Sequence, residues 1–180
     1  MCIVIDINTL ASVFDSATSD HREFRPVLTW INDGCGIIIY GGTTYKNELK
    51  RSPKYLRVMV EQHRAGKTLQ IDTSLVDKEE RRLIRLVNKV GFDDPHIIAM
   101  IIVSRCRLLC TKDRRSHQYV LDNALYTGDS ECPAIYSGRR NISLLSQKYV
   151  ADICKKTEKG KKLRKAITSQ KIPGPDRDFR

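Results

Sequence analysis

Apolar residues come in short bursts separated by stretches of helical periodicity. Cys2-Ile3-Val4-Ile5 is a continuous apolar run, which fits a strand buried on both faces, as in a parallel sheet. Asp6 follows at once, and a helix is expected from about Asn8 with Leu10, Val13 and Phe14 turned inward. A second helix is expected to start around Pro26, a residue suited to a first turn, and to carry Val27, Leu28, Trp30 and Ile31. Gly34 and Gly36 end it. Ile37-Ile38-Ile39-Tyr40 reads as the second buried strand, and Gly41-Gly42 turn the chain into a short helix holding Glu48. A helix over 53–64 and a strand over 68–71 follow. Ser74 with Asp77 three residues on resembles a capping box. The helix it opens presents Leu83, Leu86, Val87 and Val90 at helical spacing, and Gly91 closes it.

Asp93-Asp94-Pro95 opens the most apolar helix, residues 97 to about 104, which is apolar nearly all round and so belongs against the sheet. Residues 107–111 read as the next strand, ending just before Asp113, and 134–136 as a last short strand. From Ser143 a helix is expected, with Leu144, Leu145, Tyr149, Val150 and Ile153 as its buried stripe. Strands alternating with helices predict an α/β fold with a mainly parallel sheet. This domain is assigned to residues 1–154. Lys and Arg dominate residues 155–171 and the last residues look frayed, so 155–180 reads as a basic C-terminal extension, partly disordered.

The chain has 180 residues, enough for one domain with a real core and a tail. Its net charge of +11 favours a polyanionic partner, nucleic acid first. Six cysteines are scattered, with no Cys-x-x-Cys pair and no Cys/His block of zinc spacing, which reads as reduced, buried thiols in a cytosolic protein. The N-terminus lacks a basic stretch followed by a long apolar one, so no signal peptide is expected. The longest apolar run, 97–103, is far too short to span a bilayer.

The candidate chemistry lies in four acids. In an open parallel sheet, ligand sites lie outside the carboxyl ends of the strands. Asp6 directly follows the first strand, and Asp113 comes two residues after the strand ending at Thr111. Asp94 stands at a helix start, and Glu48 follows the second strand by about two turns of chain. Four carboxylates delivered to one edge could hold a hard divalent cation, which wants oxygen ligands. Such a cation lowers the pKa of a water and neutralises charge on a phosphodiester. Each acid also has a plainer role: Asp6 and Asp94 as helix caps, Glu48 as a solvated helix acid, Asp113 as a turn residue.

Taken jointly, the acids and their settings resemble the PIN-domain nuclease family. Ile3-Val4-Ile5-Asp6-Ile7-Asn8-Thr9-Leu10 is similar to the family's opening motif, and Glu48-Leu49 to its second acid. Asp94-Pro95-His96-Ile97-Ile98-Ala99 is similar to the third motif, and Leu108-Leu109-Cys110-Thr111-Lys112-Asp113 to the fourth, a strand ending Thr-x-Asp. Order and spacing agree over residues 2–137. The resemblance implies a Rossmann-like α/β/α sandwich, one or two Mg2+ or Mn2+ ions, and phosphodiester hydrolysis, usually of RNA. It implies Asp6, Glu48, Asp94 and Asp113 as metal ligands, with Asn8 and Thr111 orienting the site by hydrogen bonds. Many small members are toxins of toxin–antitoxin pairs and often dimerise, so an antitoxin and a second copy are possible partners. Where many members carry a further acid, this chain has Arg114-Arg115-Ser116-His117.

Lys112, Arg114, Arg115 and His117 sit beside the acids, either as phosphate contacts or as a solvated loop. The basic run over 155–171 is either a source of non-specific RNA affinity or a solvated helix. Gly66-Lys67-Thr68 is not a phosphate-binding loop, because Glu61 stands where its first glycine belongs and the segment leads into a strand. The expectation is a cytoplasmic Mg2+- or Mn2+-dependent endoribonuclease. The alternatives are a non-catalytic PIN-like RNA-binding or scaffold protein and a nuclease acting on DNA.

Overall fold

The computed structural model describes residues 2–34, 36–87, 91–128, 130–155 and 157–168. Five strands form one sheet: β1 (Cys2–Ile5), β2 (Ile37–Tyr40), β3 (Thr68–Gln70), β4 (Leu108–Cys110) and β5 (Ala134–Tyr136). Their order is β3-β2-β1-β4-β5, and every pairing is parallel. The eight helices of the described residues are α1 (Ile7–Phe14), α2 (His21–Asn32), α3 (Thr43–Lys50), α4 (Pro53–Arg64), α5 (Thr73–Val87), α6 (Pro95–Ser104), α7 (His117–Val120) and α8 (Glu158–Ile167). The helices flank the sheet in a Rossmann-like α/β/α sandwich. The expected mainly parallel sheet is parallel throughout.

A parallel sheet covered on both faces needs strands that are apolar on both sides. The four residues of β1 are all at or below 1% exposure, and those of β4 likewise. Helix α6 shows why an Ile-rich segment folds as helix here. Pro95 suits its first turn, and eight of its ten residues are buried against α5, β1 and β2. The chain runs outward through β1, β2 and β3, then returns to place β4 on the other flank of β1. The crevice between β1 and β4 is therefore the topological switch point, where an open sheet takes its ligands.

Two turns depend on glycine. Gly42, between β2 and α3, has φ +81, and a Cβ there would lie 2.6 Å from the Val76 side chain. Gly160 lets α8 lie on the preceding segment, since a Cβ would collide with the carbonyl oxygens of Asp152 and Lys155.

Several expectations need correction. Helix α2 begins at His21, and Pro26 lies inside it. Phe24 is the reason: it is buried edge-on against Tyr136, and with Val27 and Ile31 it forms the stripe that seats the helix. That burial outweighs the one backbone hydrogen bond a proline forfeits. The cap of α5 is Asp72, whose Oδ1 accepts from the main-chain N–H of Ser74 (2.8 Å) and Leu75 (3.2 Å). Asp77 instead reaches across to Thr43 on α3, accepting from its N–H and its hydroxyl. Leu86 is 54% exposed, and Val90 lies outside the described residues. Asp72→Ala is expected to cost about 1 kcal/mol, a fall in melting temperature of roughly 2–4 °C measured at neutral pH.

The largest differences lie after β5. No long helix begins at Ser143. Residues 139–154 form three short 3-10 turns, and of the expected stripe only Ile153 is buried. The basic run instead contributes α8, capped by Thr157, whose hydroxyl accepts from the Gly160 N–H. Arg164 donates twice to the Ile153 carbonyl, and the Asp72 N–H bonds the Ile167 carbonyl at 2.7 Å. The expected frayed end, 172–180, lies outside the described residues, as do the last residues of the basic run, 169–171. Cys2 and Cys154 are joined by a disulfide, against the expectation of six reduced thiols, and Cys35 lies outside the described residues. The two cysteines are 152 residues apart, so no local motif announces the pair. Cys106, Cys110 and Cys132 are free. No described helix is long and apolar enough to cross a membrane.

Candidate active site

The register of β1 against β4 sets the centre of the site. Ile5 pairs with Cys110, so the next residues, Asp6 and Thr111, emerge side by side at the switch point. The Asp6 N–H continues the ladder to the Cys110 carbonyl at 3.0 Å. The Asp6 side chain is 5% exposed. One oxygen accepts from the Asn8 N–H (3.0 Å) and the other from the Thr111 hydroxyl (2.7 Å). Thr111 Oγ1 in turn accepts from the Asp113 N–H at 3.1 Å, which ties the two acidic segments together. Of the two expected orienting residues, Thr111 acts through its side chain. Asn8 acts through its main chain, and its side chain is exposed.

Asp94 occupies the cap position of α6 but makes no side-chain cap bond. The plain capping role is thereby removed, and the carboxylate keeps its lone pairs. Burial first, then the charges of Asp6, Asp113 and Asp93, push its pKa up to about 6, with Arg115 opposing. Burial also raises Asp6, with Asp113 adding to it and the Thr111 and Asn8 hydrogen bonds opposing. Glu48, on α3, is raised by burial, then by Asp94 and Asp6. All four acids are thus linked through each other's charge, although they come from four separate segments.

Asp113 stands apart in one respect. Its carboxylate is gripped by Arg115 through the N–H of the main chain (2.9 Å), Nε (3.1 Å) and Nη2 (3.0 Å). That guanidinium holds its carboxyl below the ordinary range. Among the described residues, no three His, Cys, Asp or Glu side chains converge closely enough in this form to hold a metal ion together. The donor chemistry nevertheless fits a hard divalent cation: carboxylate oxygens from separate segments within reach of one another's charge, with Asp94 pushed up to about 6 by burial and then by its acidic neighbours. Magnesium keeps several waters, so one or two direct carboxylates suffice for it.

The expected basic contacts divide. Lys112 is committed: its Nζ lies 3.0 Å from Ser12 Oγ and 3.3 Å from Asp20 Oδ2, and its N–H donates to Thr9 Oγ1. Arg115 is committed to Asp113, though 84% of its side chain is exposed. Arg114 is fully on the surface. His117 begins α7, with Nε2 buried and unpartnered and its pKa lowered by burial.

Three residues behind the acids carried no expected role. His96, 1% exposed, sits with Nε2 3.6 Å from Glu48 Oε2, and burial lowers its pKa to about 4, so it faces Glu48 as a neutral ring. A lone imidazole on an otherwise apolar helix was the available signal. Tyr45, fully buried, donates to the Ile5 carbonyl at 2.9 Å and braces the end of β1. Ser12 bonds Asp20 at 2.8 Å and helps hold Lys112, a link made only in three dimensions.

Thr111→Val is expected to lower any activity of this site about tenfold or more, the usual effect of losing a partner that orients a ligand. Thr111→Ser, which keeps the hydroxyl, restores it. Equal losses in both variants would reduce Thr111 to packing.

Comparison with known proteins returns no relative. No family model, curated protein or solved structure matches this chain.

Proposed function

We propose that this chain is a divalent-cation-dependent nuclease of the PIN-domain type, cleaving phosphodiester bonds of RNA. One observation carries the reading. Asp94 stands uncapped at the switch point, with its pKa pushed up to about 6 by burial and by Asp6 and Asp113, acids from two other segments. Like charges gathered this way cost stability, and a basic protein has little reason to keep them except to bind a cation. The parallel sheet and the place of the acids at its carboxyl edge agree with what the PIN resemblance implies.

Asp6, Asp94 and Asp113 would hold Mg2+ or Mn2+, with Glu48 assisting. When bound, the cation supplies charge neutralisation at the scissile phosphate and a more acidic water. The protein's own part is positional. Thr111 fixes the rotamer of Asp6 through its hydroxyl, and the same oxygen accepts from the Asp113 N–H and so fixes the approach of Asp113. Neutral His96 backs Glu48 without cancelling its charge. Arg115 lies beside Asp113 and within electrostatic reach of Asp93 and Asp94. It supplies positive charge to the cluster in the absence of a cation and can turn to a phosphate when one binds. Exposed Arg114 extends the same basic rim.

The rival reading, a non-catalytic RNA-binding protein on the same fold, draws on the Arg115–Asp113 pair, which occupies one of the proposed ligands. Incubating single-stranded RNA with the protein in Mn2+ and in EDTA separates the two. Cation-dependent cleavage is expected. RNA that is bound but left intact in every cation tested would hand the case to the rival.

Toxin–antitoxin pairing and dimerisation are part of the same proposal. Exposed Leu75 and Leu86, about three turns apart on one side of α5, offer a partner apolar contact. A cytoplasmic location is also part of it. The Cys2–Cys154 disulfide weighs against that location, since a reducing cytosol rarely keeps such bonds.

A further inference from the structure

A groove between α2 and the segment after β5 has a different chemistry. Its walls are Arg22, Arg25 and Trp30 of α2 and Arg139, Ile142 and Leu145 of the segment after β5. The three arginines are exposed. Among the described residues, no acid forms an ion pair with any of their guanidinium groups. Apart from Thr29, the rest of the groove is apolar: Pro26, the flank of the half-buried Trp30 ring, Leu145, and Ile142 at 51% exposure. The indole Nε1 is buried and has no acceptor among the described residues. The two walls are fastened together, since Glu23 accepts from the Arg139 N–H at 3.0 Å and its carbonyl from the Tyr136 hydroxyl at 2.9 Å.

We propose that this groove binds a segment of single-stranded RNA that leads into the acid cluster, an inference that rests on the nuclease reading for its direction. Phosphates lie on Arg22, Arg25 and Arg139, and base faces lie against Trp30, Ile142 and Leu145. Cations alternating with flat apolar surface match a chain of alternating phosphates and bases, and only an unpaired strand offers its base faces. An acidic peptide would use the arginines and leave the apolar wall idle. Position supports continuity. Arg139 follows the carboxyl end of β5, and β5 neighbours β4, the strand that delivers Asp113, at about 5 Å. Asp20, at the start of α2, already contacts Lys112 on the acid side.

Trp30 is the chain's sole tryptophan, so its emission reports on this groove alone. Titration of the full-length protein with a single-stranded RNA oligonucleotide in EDTA, where no cation-dependent cutting competes, is expected to change Trp30 fluorescence. A duplex of the same sequence should leave it unchanged. The double variant R22A/R25A, altered only at exposed positions, is expected to bind about tenfold more weakly at 0.1 M salt and to lose roughly 1.4 from the log–log salt slope, two single-strand phosphate contacts. Its melting temperature should match the wild type. Asp6→Asn should bind like the wild type, which separates this inference from the catalytic one: the groove stands or falls on binding, the acids on cleavage. Unchanged Trp30 emission together with unchanged affinity of R22A/R25A would overturn the proposal. So would arginine-dependent binding of a poly-glutamate peptide in place of RNA.

Discussion

Asp6→Asn is expected to lower Mn2+-dependent RNA cleavage by more than about a hundredfold, since even residues that merely orient a ligand typically cost 10–100-fold. The fold should survive. Asp6 is nearly buried, and its ionised form is disfavoured there by desolvation and by Asp113. A neutral amide of the same shape removes that penalty, and its oxygen still accepts from Thr111 or from the Asn8 N–H. The melting temperature of the cation-free variant should therefore equal or exceed that of the wild type, a gain at the expense of function. RNA affinity in EDTA should be unchanged. Cleavage at the wild-type rate by pure Asp6→Asn protein would remove the acid cluster from the chemistry.

The second large effect is on stability. Mn2+ or Mg2+ should raise the melting temperature, by up to about 2.7 kcal/mol when the free cation reaches a hundred times its Kd. For a chain of this size that is roughly 5–10 °C. The effect should depend on pH in a defined direction. Asp94 has a folded pKa of about 6 against an ordinary 3.8, so between those values the folded chain holds a proton that the unfolded chain has released. In EDTA, its contribution to stability is therefore full at and below about pH 4, declines as pH rises to about 6, and is level beyond. Asp94→Asn should flatten that decline. With cation present the trend opposes it, because protons and cation compete for the same oxygens and the stabilisation grows from pH 5 to 7. Thermal melts across pH, with and without Mn2+, read both. A wild-type protein indifferent to millimolar Mn2+, or an Asp94→Asn protein with the full cation shift, would count against a cation site at Asp94.

Much of the fold was legible because its signals are local. The runs at 2–5 and 37–40 fit strands of a buried parallel sheet, and Pro95-His96 followed by seven apolar residues and a serine made α6 plain. Asp6 and Asp113 were legible as edge residues because Asp6 directly follows a buried strand and Asp113 comes within three residues of one. Failures came where a distant partner decided. Pro26 looked like a helix start until Phe24 found Tyr136. Ser74 and Asp77 looked like a cap until Asp77 was drawn to Thr43 and Asp72 took its place. The stripe after Ser143 had helical spacing, but its short segments pack as 3-10 turns. Gly160 allows the following basic stretch to dock instead.

By itself the sequence determined the α/β class, the parallel sheet and the place of Asp6 and Asp113 just past the carboxyl ends of their strands, because burial periodicity and chain polarity are local properties. Only the tertiary structure decided how those groups are committed. Arg115 sits on Asp113, Lys112 on Asp20, and neutral His96 behind Glu48, while Cys2 bonds Cys154 and three arginines share a groove with Trp30. The physical reason is that hydrogen bonds, ion pairs and desolvation act through space over a few ångströms. Residues far apart along the chain become neighbours only when the sheet order brings their strand ends together.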